Sequence, residues 1–385
     1  MRVGRKSEEA RMQVQQLINQ LSTTYVERSE TIEPLVAAVI ARRHVVLIGP
    51  PGTAKSSLVR DLAAGLGGLR FFSWLLTEFS VPEELFGPLD ISALEQGQYR
   101  RLTAGKLPNA ELAFIDEVFK AGPAILNTLL SVMQERLFYN DGQPTPVPLV
   151  SLIGASNETP TGEQELEALW DRFTVRLQVG YIQEPGNFVR MLTGSTGNAV
   201  QVLSRADLEA AQEAAARVPV PGAVLDMTVQ LRQVLSDHGI VVSDRRYKES
   251  LDLLRAVAFL DGRDEVIEDD LLILQHVLWH NPSQAAEVAR LVFAVAEPLL
   301  VGIAEVEDEA LAAVTEARQV LSGGTPGAQE TQQLLEAVGS LRETLKKLEA
   351  LEEQIAGRPK AAAALERTHD RVKGWQAEVL KALGV

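Results

Sequence analysis

The sequence predicts an α/β fold: a five-stranded parallel sheet covered by helices on both faces, followed by an all-helical remainder. Three observations carry this. An apolar, β-branched run from His44 to Ile48 leads straight into GPPGTAKSS and then into a helical pattern, SLVRDLAAGL. Four further short apolar runs, Leu69–Leu76, Leu112–Asp116, Leu149–Ser156 and Thr174–Val179, are near-continuous, as strands buried on both faces are. After Gly180 the strand-like runs stop and helical patterns take over.

In chain order, Glu8 to Glu27 reads as a helix with Val14, Leu17, Ile18 and Leu21 on one stripe. YVERSETIEPLVAAVIARR leads into the first strand. EQGQYRRLTAGKLPNA, Glu95 to Ala110, has the glycines and alternating centre of a hairpin loop outside the sheet. RLFYNDGQPTPVPL, Arg136 to Leu149, places Asn-Asp-Gly between strand-like flanks, a strong turn signal. Prolines 144, 146 and 148 exclude a central strand there and point to an exposed ribbon. Five helical patterns follow, ending with IEDDLLILQHVLWH, each opening near a capping or turn residue. Three long helices are expected beyond Ser283, at Gln284–Leu321, Ala328–Ala356 and Pro359–Leu383, broken by SGGTPG and GRP. Short breaks between long amphipathic helices imply antiparallel neighbours, hence a three-helix bundle or arm.

Composition narrows the function classes. The chain has 385 residues, room for two or three compact units. It has no cysteine, which excludes disulfides, cysteine-ligated zinc and thiol nucleophiles and fits a reducing compartment. No apolar run approaches the ~20 residues of a membrane helix, and the polar start lacks a signal-peptide core. A cytoplasmic protein is expected. The formal net charge of −15 argues against a broad, sequence-independent hold on nucleic acid. Leu300 to Ala356 carries eleven Asp and Glu against four Lys and Arg, so that segment would repel a phosphate backbone.

The chemistry concentrates on two strands. Strand, glycine-bearing loop with Lys-Ser, and helix is the context of a phosphate-binding P-loop. Gly49, Pro50, Pro51, Gly52, Thr53, Ala54, Lys55, Ser56 and Ser57 form it. Backbone N–H groups and the helix N-terminus there make a concave positive site for phosphate oxygens. Lys55 would reach the β- and γ-phosphates of ATP, and Ser56 would hold Mg²⁺. Ala54 departs from the motif, which wants glycine before the lysine. Some sixty residues on, LAFIDEVFKA delivers Asp116 and Glu117 at the C-terminal end of a buried strand, where ligands bind in open α/β sheets. Asp116 would hold the Mg²⁺ shell, directly or through water. Glu117 would orient or deprotonate the attacking water, making the reaction hydrolysis of the γ-phosphate.

GPPGTAKS, LLTEFSVPEELFGPLDI, AFIDEVFKAGPAILNTLLSVMQER, IGASNE, LWDRF and VSDRRY occur in that order, and the set as a whole is specific. From about Val26 to Trp279 the chain resembles an AAA+ ATPase of the MoxR family, closest to the RavA type. The resemblance implies a P-loop AAA+ αβα core, a four-helix lid and a hexameric ring with ATP between subunits. The expected divisions are 1–184 for the core with its N-terminal helix, 185–282 for the all-α lid and 283–385 for the C-terminal helices. Glu95–Ala110 and Arg136–Leu149 match the family's helix-2 insert and pre-sensor ribbon. Asn157 resembles sensor 1, whose amide positions the lytic water. Arg172 in LWDRF resembles the arginine finger that reaches a neighbour's γ-phosphate; a salt bridge to Asp171 or Glu167 is the plainer alternative. Arg245 resembles sensor 2 on a lid helix folding over the nucleotide, ambiguous by one residue with Arg246. The adenine pocket falls at Tyr25–Glu30 by resemblance alone. A von Willebrand factor A-domain protein is the implied partner, in chaperone-like remodelling.

Other candidates are weaker. His276 and His280 stand i, i+4 but lack a third ligand or a Glu base, so structural roles are favoured over zinc. Phe71, Phe72 and Trp74 read as core or subunit contacts. Larger RavA-type proteins carry a domain inserted among their C-terminal helices, whereas Ser322–Gly327 here is a short linker. ATP-driven remodelling therefore leads. A nucleotide-dependent assembly scaffold with incidental hydrolysis is the alternative, and a nucleic-acid motor comes last.

Overall fold

The computed structural model describes residues 2–160, 164–193, 203–322, 328–352, 354–355 and 359–383. Most of the SGGTPG and GRP breaks lies outside the described residues. Two compact units result: Met1–Leu225 with Gly239–Ala285, and Asp226–His238 with Ala286–Val385.

The first unit is built on seven strands: β1 Val45–Ile48, β2 Phe71–Leu75, β3 Leu112–Asp116, β4 Leu137–Asn140, β5 Gln143–Pro146, β6 Ser151–Ser156 and β7 Val175–Gln178. Five of them form one sheet in the order β2-β3-β6-β1-β7, with every pairing parallel. Each apolar run of the sequence has become one of these strands. Every residue of β1 and β6 is buried, as continuous apolar runs require, while the edge strand β2 exposes Phe71 and Leu75. The strand order reverses at β1, which lies between β6 and β7. In open α/β sheets that reversal opens a crevice beyond the strand C-termini.

Helices Arg2–Thr24, Ser29–Ile40 and Lys55–Gly65 belong to the same unit. Val14, Leu17, Ile18 and Leu21, the expected stripe, are all buried. β4 and β5 pair antiparallel as a separate ribbon, closed by Asp141 at φ 53° and Gly142 at φ 71°. Two successive positive-φ residues match the strand twist in a two-residue hairpin, and Asp-Gly is among the best pairs for it. β5, with Pro144 and Pro146, is fully exposed.

Three details differ from expectation. Glu95–Ala110 contributes a single antiparallel bridge, Leu89 to Arg101, enclosing the short helix Ile91–Leu94, in place of a regular hairpin. Glu268–His276 is a 3₁₀ helix in which Asp269 through Leu274 are all buried. Asp270 pins its start by accepting from Ile267 N–H at 2.9 Å and from Arg263 Nη1 at 2.6 Å. The segment Gln284–Leu321 is two helices, Ala285–Ala296 and Pro298–Ser322. Pro298 lacks an N–H and its ring clashes with the preceding turn, and the α-helix breaks there.

In the second unit, Pro298–Ser322, Ala328–Glu352 and Pro359–Ala382 form a three-helix bundle. Lys347 Nζ meets Glu309 at 2.5 Å, whereas Arg318 pairs with Glu378 at 2.8 Å and Thr368 donates to Glu307 at 3.0 Å. Contacts that rise together in number along the first and third helices make those two parallel, with the second running opposite. Leu334, Leu341, Leu348, Val314, Val372 and Val379 are fully buried between them. Among the described residues no helix is long and apolar enough to cross a membrane.

Candidate functional site

Three neighbouring strands deliver their C-terminal residues to one edge. β1 runs into the P-loop, β3 ends on Asp116, and β6 is followed by Asn157. Gly49 leaves β1 so close to β7 that a Cβ there would lie 2.0 Å from Val179 O; only glycine fits. Ala54 then takes the left-handed conformation, φ 65° and ψ 20°, immediately before the helix Lys55–Gly65. The motif's usual glycine avoids a Cβ clash that costs about 1–2 kcal/mol at this conformation. Ala54→Gly is therefore expected to raise thermal stability by about 1 kcal/mol, the entropy of the added glycine offsetting part of the relief. A lower melting temperature in calorimetry would show that the left-handed turn is not adopted.

Lys55 is 7 % exposed. Its Nζ donates to Gly49 O at 2.6 Å, Pro50 O at 3.0 Å and Asn157 Oδ1 at 3.1 Å. Burial lowers its pKa, and the charges of Asp116 and Glu117 offset part of that. Asn157 in turn donates through Nδ2 to Glu117 Oε1 at 2.5 Å. One amide thus joins the P-loop lysine to the acid expected to act on water. Ser56 Oγ donates to Asp116 Oδ2 at 2.7 Å, and Glu117 N–H donates to Asp116 Oδ1 at 3.1 Å. Glu117 is itself left-handed, φ 53°, which turns its side chain out of the strand direction. Lys120 lies 3.7 Å from its other oxygen. Thr53 is buried and closes the loop onto Pro50 O at 3.0 Å.

Tyr25–Glu30 is tied to the chain that leaves β7. Glu27 accepts from the N–H groups of Gln183 at 2.8 Å and Glu184 at 2.9 Å, and from Asn187 Nδ2 at 3.0 Å. Burial opposes ionisation of its carboxyl, but these donors outweigh it and hold the pKa below the usual carboxylate value. Arg28 donates to Gly180 O at 2.6 Å, and Tyr181 OH to Pro51 O at 3.2 Å. Glu27 lies within the expected segment Tyr25–Glu30, whereas Tyr181 was not legible as a neighbour of the P-loop. No spacing in the sequence joins residues so far apart.

The arginines form a second centre. Arg172 donates to Ala168 O at 2.9 Å and Gln134 Oε1 at 2.7 Å, and its Nε is buried without a hydrogen-bond partner. Asp171 pairs with Arg245 and, at 3.1 Å, with Arg246. Arg246 is 4 % exposed and also donates to the carbonyls of Phe173, Thr174 and Val277 at 3.0–3.2 Å. Its donors are spent inside the fold, whereas Arg245 is a third exposed. Burial lowers the pKa of Arg172, and the positive charge of Arg245 adds to it. Among the described residues neither Arg172 nor Arg245 makes a hydrogen bond or ion pair with the P-loop of its own chain. The structure brings together Lys55, Ser56, Asp116, Glu117 and Asn157, and sets Arg172 and Arg245 apart as a pair.

The remaining candidates lie outside both centres. His276 is partly buried, and desolvation pushes its pKa down to about 4. His280 contributes its backbone carbonyl to Trp170 Nε1–H at 2.9 Å. Phe71, Phe72 and Trp74 sit on edge strand β2, separated from β1 by β3 and β6; Trp74 stacks on Phe72 and lies under Lys106.

A P-loop on the strand where this sheet order reverses, acids on the next strand but one, and an asparagine on the strand between define an AAA+ ATPase domain. Residues 12–214 match the family model described as the MoxR domain of MoxR-vWA-beta-propeller ternary systems, and 223–292 match an AAA lid domain. The chain belongs to the MoxR family of AAA+ ATPases. It is 37 % identical over 282 residues to the uncharacterized protein MJ0079 of Methanocaldococcus jannaschii, covering 73 % of each chain. It is 27 % identical over 287 residues to the chaperone MoxR1 of Mycobacterium tuberculosis, covering 70 % of this chain and 75 % of that one. A crystal structure of a candidate ATPase from Cytophaga hutchinsonii shares the fold, with a TM-score of 0.62 at 19 % identity, over 76 % of this chain and 96 % of that one.

Proposed function

We propose that the protein hydrolyses ATP between the subunits of a ring, a hexamer of RavA-type character, and that the motion drives chaperone-like remodelling or activation of a partner protein. The observation that carries this is the chain Lys55–Asn157–Glu117 beside the pair Ser56–Asp116. The residues suit Mg-ATP: a buried lysine amine among loop carbonyls is ready to exchange them for phosphate oxygens. The adjacent hydroxyl and carboxylate are the hard oxygen donors that Mg²⁺ prefers. Ser56 and Asp116 would hold that ion, which supplies neutralisation of phosphate charge when bound.

The chain's own groups divide the work. Lys55 binds and orients the β/γ-phosphates. Glu117 takes the proton of the attacking water, and Asn157 holds both the water and the Glu117 carboxylate in line. Arg172, without a bond to its own P-loop, is assigned to the neighbouring subunit's nucleotide, and Arg245, paired with Asp171, to the sensor 2 role on the lid helix. Residues 1–184 act as the nucleotide core, 185–282 as the lid and 283–385 as an accessory helical module. The family description names a vWA component, which makes a von Willebrand factor A-domain protein the partner to test first. The acidic balance disfavours a nucleic-acid motor.

Glu117→Gln tests the chemistry. The amide keeps the shape and its contact with Asn157 but cannot accept a proton. Mg-ATP binding should persist while turnover falls by about 10²–10⁴-fold, the usual worth of a positioned base. Near wild-type phosphate release from this variant would remove Glu117 from the mechanism.

A further inference from the structure

The helix Gln164–Arg172 ends on Arg172, and two buried guanidinium groups close that end. Helix ends leave their last carbonyls without intrahelical donors, and cations there also meet the negative end of the helix dipole. Arg176 stacks 4.4 Å over the Trp170 ring and donates through Nη2 to Trp170 O at 3.1 Å. Arg246 comes from another helix. Its Nη2 donates to Asp171 O at 3.0 Å and to Asp171 Oδ1 at 3.1 Å. Its Nη1 donates to Phe173 O at 3.0 Å, Thr174 O at 3.1 Å and Val277 O at 3.2 Å. The chain is thus held immediately before Arg172 and immediately after it. Arg246 reaches across from the first turn of Asp244–Leu260, a helix capped by Ser243. Glu249, one turn further along, accepts from Thr174 Oγ1 at 2.8 Å and adds to the same joint.

The fork shape of the guanidinium is what makes this possible. Its donors lie in one plane, so a single side chain fixes the Asp171 carboxylate and the carbonyls of Asp171, Phe173 and Thr174 together. The side chain of Arg172 has its own bonds to Ala168 O and Gln134 Oε1, but those do not fix the backbone from which it projects. We propose that Arg246 is a positioning residue for ATP hydrolysis: it fixes the turn that presents Arg172 to the neighbouring subunit's nucleotide. The inference rests on the reading of Arg172 as a finger acting in trans. A finger works only where transition-state charge develops, and a misplacement of about 1 Å can cost about 10²-fold in rate. Arg246 itself reaches no phosphate, because its guanidinium is buried and its donors are engaged within its own chain.

Arg246→Met removes the fork, and Arg246→Lys keeps a charge for Asp171 without it. In both, calorimetry with a slowly hydrolysed ATP analogue should give an affinity within about twofold of the unsubstituted protein. The turnover number kcat should fall by about 10²-fold for Arg246→Met and at least about tenfold for Arg246→Lys. Melting curves establish that each is folded, and Arg246→Lys carries the test if Arg246→Met does not fold. Arg263→Lys is the control for lost stability alone: Arg263 pairs with Asp261 and Asp270 and touches neither centre, so its melting temperature should drop while kcat holds. Mixing under subunit exchange then reads which site fails. The folded Arg246 variant mixed with Lys55→Ala should recover part of the ATPase rate, because an intact loop from the first can face a held finger from the second. Mixed with Arg172→Ala it should recover none, since both lack a working finger. Recovery with Arg172→Ala, or none with Lys55→Ala, would put the defect in the variant's own nucleotide site and overturn the proposal. A folded Arg246 variant with unchanged kcat would overturn it too, as would an equal loss of kcat in Arg263→Lys. Arg172→Ala with Lys55→Ala, run alongside, reports the underlying reading separately; no recovery there would remove the finger in trans, and this inference with it.

Discussion

Lys55→Ala should abolish measurable ATP binding. The amine is the one buried cation on the loop itself, and it already sits among the carbonyls of Gly49 and Pro50 and the amide oxygen of Asn157. A triphosphate entering the loop brings several negative charges to a place with little water. Removing the cationic partner of a buried, hydrogen-bonded charge pair costs about 2–5 kcal/mol or more, a 30- to several-thousand-fold loss of affinity. The substitution also frees Asn157 from one of its two tethers, so Glu117 loses alignment as well. Titration calorimetry with a slowly hydrolysed ATP analogue measures the effect, and a melting curve establishes that the variant is folded. Undiminished affinity in a folded variant would sink the P-loop assignment.

The parts of this site that could be read from sequence are those fixed by local rules. β1 followed by a glycine-bearing loop, and β3 ending in Asp-Glu, are strand-end signals needing no tertiary knowledge, and both lie at the edge expected of them. The five strands were legible because strands buried on both faces must be apolar throughout. Ala54 was visible only as a departure from the motif; its left-handed φ gives the departure a physical meaning. What the sequence hid is what long-range packing decides. The chain from Lys55 through Asn157 to Glu117 spans about a hundred residues and depends on β6 lying between β1 and β3. The ambiguity between Arg245 and Arg246 rests on adjacent residues facing different ways on one helix. One is buried against backbone carbonyls and the other is partly exposed beside Asp171. The break at Pro298 followed a plain local rule, but alanine-rich helical periodicity on both sides concealed it.

Arg172→Ala should bind ATP and scarcely hydrolyse it. A guanidinium at the γ-phosphate stabilises charge that develops only in the transition state, and such a finger is worth about 10³–10⁵ in rate. In its own chain Arg172 bonds Gln134 and Ala168 O, and its Nε is buried without a partner, so the side chain is pre-positioned at the last turn of Gln164–Arg172. Burial depresses the pKa of Arg172, and the positive charge of Arg245 adds to that. Two adjacent cations on a partly buried surface repel each other, and an anion supplied from outside the chain relieves that repulsion. A neighbour's triphosphate is such an anion. The decisive experiment mixes two inactive proteins, Arg172→Ala and Lys55→Ala, under conditions that allow subunit exchange. In a mixed assembly an intact Lys55 loop from the first can face an intact Arg172 from the second, and part of the ATPase rate should return. If exchange is verified by labelled subunits and no activity appears, Arg172 does not complete a neighbour's site. An Arg172→Ala protein that hydrolyses ATP at full rate would dismiss the finger altogether.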